Sequence, residues 1–364
     1  MGSYHIAVVG ATGAAGTELL RVLERRNFPV ATLRPIGSAR SAGKSVRFRG
    51  ESLSVEKLNG GSFDKIDIAF FSAGGNVSRE YVPIACQAGA IAIDKSSAFR
   101  MDPHVPLVIP EINAQDARLH RGVIANPNCT TTVMLMALYP LHRVFHVRRV
   151  FAASYQAVSG SGIRGVEELT EQTKNWFKNQ EACSRGSVSD AAPANANLSH
   201  ASHSPVQDSA EAGSETATLF PHPIAFNLLP HVDLFLESGY TKEEAKMQDE
   251  ARKIMHSQAL RVSATCVRVP VYRAHSLAVT AEFQRALSVE QAREILSKAP
   301  GLELVDEPHK NRYPTPLNVA GRDNCQVGRV RLDCALENGL SFWVSGDQLL
   351  KGAALNAVQI AELL

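Results

Sequence analysis

The chain has 364 residues, enough for two domains of ordinary size. Hydrophobic residues make up 45% and charged residues 20%, and 38 basic against 36 acidic side chains leave a net charge of +2. That balance supports a packed core and gives no electrostatic case for nucleic acid, and the absence of any apolar run of spanning length excludes a helical membrane protein. The opening MGSYHIAVVG has no signal-peptide pattern. A cytoplasmic location is expected, with a plastid as the alternative where a transit peptide has been removed. The cysteines (Cys86, Cys129, Cys183, Cys266, Cys325, Cys334) form no CxxC pair, which points to free thiols in a reducing compartment.

Residues 4–9 (YHIAVV) form an apolar, β-branched run that reads as a buried parallel strand. GATGAAG follows, and TELLRVLERR continues as a helix. Gly10, Gly13 and Gly16 permit a tight turn and let backbone N–H groups approach a pyrophosphate at the helix N-terminus, with Thr12, Ala14 and Ala15 completing the loop. The spacing departs from G-x-G-x-x-G, and an ordinary strand–helix turn is the alternative. The next strand, ATLRPIGS, ends without the acidic residue that an NAD site uses for the ribose hydroxyls. Ser38, Arg40, Ser41 and Lys44 stand there instead, hydroxyls and cations that suit a 2′-phosphate. IDIAFF is a further strand, and the SAGG after it (Ser72, Ala73, Gly74, Gly75) sits where a chain passes close to a dinucleotide. AIAIDKS, VPLVIP and GVIANPN read as more strands of the same parallel sheet, and Arg100, in SSAFRM, is placed to reach an anion.

NPNCTTT, residues 126–132, carries the most chemistry. Cys129 follows a turn-forming Asn-Pro-Asn and opens the helix TTTVMLMALYPLHRVF. A helix N-terminus favours thiolate, hence a nucleophile toward a carbonyl carbon. Cys86 and Cys266, within apolar runs, fit inert buried thiols better. From here the pattern becomes that of an α+β unit. VRRVFAASYQAVSG is a long strand with Gln156 at its end before a glycine turn, and GVEELTEQTKNWFKNQ is a helix. Residues 183–219 are rich in Ser and Ala without apolar periodicity and are expected to be a mobile surface insertion. Its His200 and His203 lack ligand partners at metal spacing, and no metal is expected.

YTKEEAKMQDEARKIM is a helix with Thr241 as N-cap and Glu244 at the capping-box position; Glu243 and Lys246 share a face. LRVSATCVRVPVYRAHSLAVTAEF alternates as antiparallel strands do. RVPVYRAHS brings Arg268, Arg273 and His275 close together, and His275 is a candidate base for Cys129, with a satisfied structural histidine as the alternative. Arg268 and His275 are seven apart, so a regular strand turns them to opposite faces; if both serve one site, the strand breaks near Pro270. The apolar LLKGAALNAVQIAELL closes the chain as a helix expected to cover the first sheet.

In order, GATGAAG, SARSAGK, DKSSAFRM, NPNCTT, SYQAVSGSG, FPHPIAFNLLPH, YTKEEAKM, RVPVYRAHS and GDQLLKGAALNAVQIAE resemble the aspartate-β-semialdehyde dehydrogenase family over nearly the whole chain; residues 183–219 depart from its pattern. With the element order, the resemblance implies an α/β protein. A Rossmann-type doubly wound NADP-binding domain spans 1–130, an α+β catalytic and dimerisation domain with a mixed or antiparallel sheet spans 131–343, and a C-terminal helix, 344–364, returns to the first. It implies Cys129 as nucleophile and His275 as acid/base. Gln156, Glu243 and Arg268 become the substrate set, with Arg268 on the α-carboxylate and Glu243 on the ammonium. Arg100, Asn128 and Lys246 become the phosphate site, and Ser159, Gly160 and Gln348 further NADP contacts.

The implied reaction is the NADP- and phosphate-dependent interconversion of aspartate 4-semialdehyde and 4-aspartyl phosphate through a cysteine thioester. It serves lysine, threonine and methionine biosynthesis in a homodimer that in some members pairs into a tetramer. N-acetyl-γ-glutamyl-phosphate reductase shares fold and chemistry, but its nucleophile motif is typically of a Gly-Cys-Tyr type, where this chain has Asn128, Cys129 and Thr130. A glyceraldehyde-3-phosphate dehydrogenase shares only the Cys–His logic. An inactive paralogue acting as a binding protein is expected to lose the Cys or the His, and both are present.

The basic loop after the second strand yields a first test. Arg40→Ala should weaken NADP binding roughly tenfold or more, the worth of one charge-assisted hydrogen bond, and leave NAD binding near parental. Calorimetric titration with both dinucleotides reads this, and equal losses would remove Arg40 from the 2′-phosphate.

Overall fold

The computed structural model describes residues 2–185 and 219–364. Most of the expected insertion, with His200 and His203, lies outside the described residues. Its first positions are helical, because the helix before it runs to Arg185.

The first half alternates strand and helix: β1 (Tyr4–Val9), α1 (Ala14–Arg25), β2 (Val30–Gly37), a hairpin of β3 (Ser45–Phe48) and β4 (Glu51–Ser54), β5 (Glu56–Lys57), β6 (Ile68–Phe71), α2 (Gly75–Gln87), β7 (Ile91–Asp94), α3 (Pro110–Asn113) and β8 (Val123–Ala125). Six strands lie in the order β5-β2-β1-β6-β7-β8, all parallel. Ile6–Val9 and Ile68–Phe71 are apolar and buried at every position, as strands covered on both faces must be. The chain leaves β1 toward β2 and later returns to β6 on the other side. The crevice beyond the C-terminal ends of β1 and β6 is therefore a topological switch point, where α/β sheets take ligands.

VPLVIP forms no strand, contrary to expectation; Leu107 makes a single bridge to Ala125. Pro106 and Pro110 bring no N–H to a ladder. The Val108 N–H and the Pro106 carbonyl still pair with Ala125, but the Asn113 side chain takes two further groups, accepting the Ile109 N–H and donating to the Leu107 carbonyl, both at 2.9 Å.

The second half comprises α4 (Cys129–Phe145), β9 (Val147–Gln156), α5 (Ile163–Arg185), α6 (Lys242–Ile254), β10 (Arg261–Arg268), β11 (His275–Phe283), α7 (Val289–Ser297), β12 (Leu302–Leu304), α8 (Pro316–Val319), β13 (Cys325–Leu332), β14 (Gly339–Gly346) and α9 (Leu355–Ala361). Its sheet, ordered β10-β9-β11-β14-β13-β12, is mixed. β11 runs antiparallel to β9, but β10 runs parallel to it, because the chain between β9 and β10 crosses over through α6 instead of a hairpin. α4 is buried against this sheet, with Val133, Leu135 and Leu138 in one cluster with Leu277, Val279 and Val344.

The closing segment packs on the first unit: Leu350, Leu355, Val358 and Ile360 share a cluster with Ile6, Val8, Leu19 and Leu23. It does not begin as an α-helix. The Gly352 N–H bonds the Asp347 carbonyl at 3.1 Å and the Ala354 N–H the Leu349 carbonyl at 3.0 Å, the wide spacing of a π-turn over Leu350–Ala354. Among the described residues no helix is long and apolar enough to cross a membrane.

Leu355 is almost fully buried where the two units meet. Leu355→Ala should cost about 2–5 kcal/mol. Urea unfolding followed by circular dichroism measures this, and an unmoved midpoint would mean that the closing helix contributes nothing to the first core.

Candidate active site

Three loops meet beyond β1, β2 and β6. Gly10 has a φ of 88°, and a Cβ there would lie 2.7 Å from the Ser72 carbonyl oxygen. One on Gly16 would lie 2.1 Å from the Gly10 carbonyl oxygen, so both positions require glycine. Gly13 is the N-cap of α1 and offers no side-chain cap. The first N–H groups of the helix, at Ala14, Ala15 and Gly16, are thus open to an anion. Thr12 Oγ1 donates to Ser41 Oγ at 3.1 Å and ties the glycine turn to the loop that carries Ser38 and Arg40, both exposed at the rim. Ser72, Ala73 and Gly74 follow β6. From the second unit, Gln348 Nε2 donates to Ser159 Oγ at 2.5 Å, and Gln348 Oε1 accepts the Ala274 N–H at 2.8 Å. Open N–H groups, a cradle that a Cβ would fill, and a rim of hydroxyls and a guanidinium fit a dinucleotide bearing a 2′-phosphate.

α4 opens at Cys129, capped by Asn128, whose Oδ1 accepts the N–H groups of Thr130 at 2.9 Å and Thr131 at 3.0 Å. α6 holds the same residue from the other side. Glu243 Oε1 accepts from Asn128 Nδ2 at 2.9 Å, and Glu250 Oε2 from the Asn128 backbone N–H at 2.7 Å. The other Glu250 oxygen pairs with Arg100 Nη1 at 2.9 Å, and Arg100 also donates to the carbonyls of Asn126 and Lys95. Lys246 bridges Glu243 at 3.3 Å and Asp233 at 2.6 Å. Gln156 Nε2 donates to Thr130 Oγ1 at 2.6 Å and to Glu243 Oε1 at 3.2 Å. Arg100, Asn128, Gln156, Glu243 and Lys246 therefore form one connected network behind Cys129. Sequence reasoning missed Glu250, Asp233 and Lys95. Glu250 was findable, since two helical turns after Glu243 it faces the same way. Asp233, in a loop, carries no such signal.

β10 ends at Arg268 and β11 begins at His275; between them the chain leaves the strand pattern around Pro270, where a break was required. Both side chains then meet at Ala157. Arg268 Nη1 donates to its carbonyl at 2.8 Å, and His275 Nδ1 accepts its N–H at 3.1 Å. Both also close on Gly160, where a Cβ would lie 3.0 Å from Arg268 Nη1 and 3.1 Å from His275 Cε1. With Nδ1 accepting, the proton of the neutral ring sits on Nε2, and Nε2 is buried with no protein partner. Arg268 is buried, with Phe220 5.9 Å below its guanidinium and no ion pair among the described residues. Arg273, the other guanidinium near His275, is already committed, to Asp347 at 2.6 Å and Glu18 at 2.9 Å.

Burial pushes the Cys129 thiol up and Glu243 adds to this, against Lys95, Thr130 and Arg100. A resting thiolate is thus not favoured, contrary to the reading from the helix end alone, and Asn128 already takes the N–H groups of Thr130 and Thr131. Burial, reinforced by Arg268, holds His275 well below its usual range, so the ring is neutral near pH 7. Burial works to raise Glu243, but Lys246 and hydrogen bonds from Asn128 and Gln156 hold it below the usual carboxylate range. Cys266 is a different case: enclosed in the core, its thiol is pushed up to about 12.

Residues 5–120 match a family model described as semialdehyde dehydrogenase, NAD binding domain, and residues 138–351 one described as semialdehyde dehydrogenase, dimerisation domain. The chain is 47% identical to an aspartate-semialdehyde dehydrogenase of Aquifex aeolicus, over 99% of this chain and 98% of the relative. It is 43% identical to one of Bacillus subtilis, over 99% and 97%. A crystal structure of aspartate semialdehyde dehydrogenase II from Vibrio cholerae, complexed with ASA, superposes with a TM-score of 0.86 at 38% identity, covering 100% of this chain and 98% of that one.

The charges around Cys129 predict a direction. Glu243→Gln removes an anion that raises the thiol, so the midpoint of the pH profile for alkylation by iodoacetamide should fall; Lys95→Met should raise it. Cys334 is exposed, so both belong in a Cys334→Ser background. An upward shift in Glu243→Gln would reject the electrostatic assignment.

Proposed function

The chain belongs to the aspartate-semialdehyde dehydrogenase family, and from that premise we propose that it interconverts L-aspartate 4-semialdehyde and L-4-aspartyl phosphate, using NADP and inorganic phosphate. One observation carries the substrate. Arg268 is a buried guanidinium with no carboxylate partner among the described residues, and it stands beside the partnerless Nε2 of His275. A ligand with a carboxylate at one end and a carbonyl at the other answers both. Arg268 takes the α-carboxylate through its fork, Glu243 takes the ammonium, and Gln156 orients the chain between them.

In this reading Cys129 Sγ adds to the aldehyde carbon and the carbonyl oxygen gains a proton, giving a hemithioacetal. The neutral His275 ring carries its proton on Nε2, the atom that Ala157 leaves open, and gives that proton to the carbonyl oxygen as the thiol proton takes its place. The dinucleotide, when bound, supplies the hydride acceptor, or in the biosynthetic direction the donor. The Gly10–Gly16 loop holds its phosphates, Ser38, Arg40 and Ser41 the 2′-phosphate, and Ser72–Gly74, Ser159, Gly160 and Gln348 its remainder. Loss of hydride from the carbon, with the hydroxyl proton released to solvent, leaves a thioester on Cys129. A phosphate oxygen, oriented by Arg100, Lys246 and Asn128, attacks the acyl carbon, and the bond to Sγ breaks to release the acyl phosphate and the sulfur. Arg100 has N–H groups left for this after its protein bonds.

The domains are taken as 1–130, 131–343 and the returning 344–364. The reading includes a homodimer, paired further in a tetramer, built on the second unit, whose sheet exposes Phe151, and a reducing cytoplasm that keeps Cys129 a thiol. Phosphate-dependent NADP reduction with aspartate semialdehyde, run beside N-acetylglutamate semialdehyde, tests the whole assignment.

Arg268→Lys separates recognition from chemistry. It keeps the charge but loses the fork, so the aldehyde is misplaced relative to Cys129; KM should rise and kcat fall, by on the order of a hundredfold in rate. His275→Asn should instead lower kcat with little change in KM. Unchanged kinetics in Arg268→Lys would remove it as the carboxylate clamp.

A further inference from the structure

The stretch Asp347–Asn356 touches both members of the proposed catalytic pair. At its start Asp347 pairs with Arg273 at 2.6 Å and Gln348 accepts the Ala274 N–H at 2.8 Å, so it grips the residues leading into His275. In its middle Gly352 lies flat against the nucleophile, where a Cβ would sit 2.7 Å from Cys129 Cβ and 3.2 Å from Cys129 Cα. At its end Asn356 Nδ2 donates to Asn126 Oδ1 at 2.8 Å and to the Val108 carbonyl at 2.9 Å, and Asn126 begins the turn into Cys129. One segment thus sets the place of base and nucleophile together.

The backbone that does this is the π-turn at Leu350–Ala354. Such turns are rare and persist where their surroundings hold them. Here the holder is Lys351, within the turn and 1% exposed. Its ammonium donates to Glu111 Oε2, to Asn356 Oδ1 at 2.9 Å and to Gln359 Oε1 at 2.8 Å, which uses all its N–H donors. A buried ammonium is tolerated only with such pairing, and neither the chemistry above nor the cofactor crevice uses it.

We propose that Lys351 is a positioning residue that locks the π-turn and so fixes Cys129 relative to His275. The proposal rests on Cys129 and His275 being the reacting pair. Lys351→Met with Glu111→Gln removes the ammonium without leaving a buried unpaired carboxylate. In that double variant kcat should fall on the order of tenfold to a hundredfold, while KM for the aldehyde and NADP affinity stay near parental. The pH profile of Cys129 alkylation, read in a Cys334→Ser background, should also move. Gly352→Ala, which leaves the Lys351 network intact and pushes a methyl at Cys129, should show the same split between kcat and KM. It decides the matter if the double variant does not fold. Parental kcat in either folded variant, or a loss confined to melting temperature, overturns the proposal. Cys129→Ala run alongside tests the nucleophile separately, since turnover retained there would defeat the reading on which the proposal rests.

Discussion

Asn128 is pinned between two helices, and the site is arranged around that pin. Its Oδ1 and backbone carbonyl serve α4, while its amide and backbone N–H groups donate to Glu243 and Glu250 of α6. Two buried carboxylates need two cations, and the cations that answer are Lys246 and Arg100. The residue that caps the helix opening at Cys129 and the two cations are thereby one hydrogen-bonded body. Desolvation makes such a body all-or-none, because deleting one partner leaves the other charge buried alone.

The proposed reacting groups are treated in the opposite way. Cys129 and His275 are both held toward their neutral forms by burial, with fixed charges around them instead of on them. Arg268, a buried cation without a counter-ion among the described residues, fits the proposed role of waiting for an anion that the substrate brings. Donors arranged before the substrate arrives need no reorganisation during reaction, which is the condition under which electrostatic stabilisation is largest.

Much of this was legible in the sequence where one local rule governs. Continuous apolar runs marked β1 and β6 as strands buried on both faces, the Thr241–Glu244 capping box was formed as read, and Pro270 marked the break that lets Arg268 and His275 meet. The readings that failed needed information from elsewhere in the chain. VPLVIP has strand composition, but Asn113 claims two of its backbone groups, the Ile109 N–H and the Leu107 carbonyl. β10 alternates like a hairpin strand, and only the crossover through α6 makes it parallel. The thiolate argument counted the helix end and could not see Glu243 and burial opposing it. Nothing in LLKGAALNAVQ announces a π-turn, since its spacing answers to Cys129 and Glu111, far away in sequence.

The return of the closing segment also orders events during synthesis. β1 emerges long before the segment that covers it, since Ile6 and Val8 pack against Leu355, Val358 and Ile360 from the far end of the described chain. At ordinary ribosomal rates the interval is on the order of tens of seconds. Through that time the first unit presents an uncovered apolar face, and Cys129 lacks the Gly352 backbone behind it. A ribosome stalled short of this segment therefore displays a dinucleotide domain with an uncovered apolar face, the kind of surface that a holding chaperone shields.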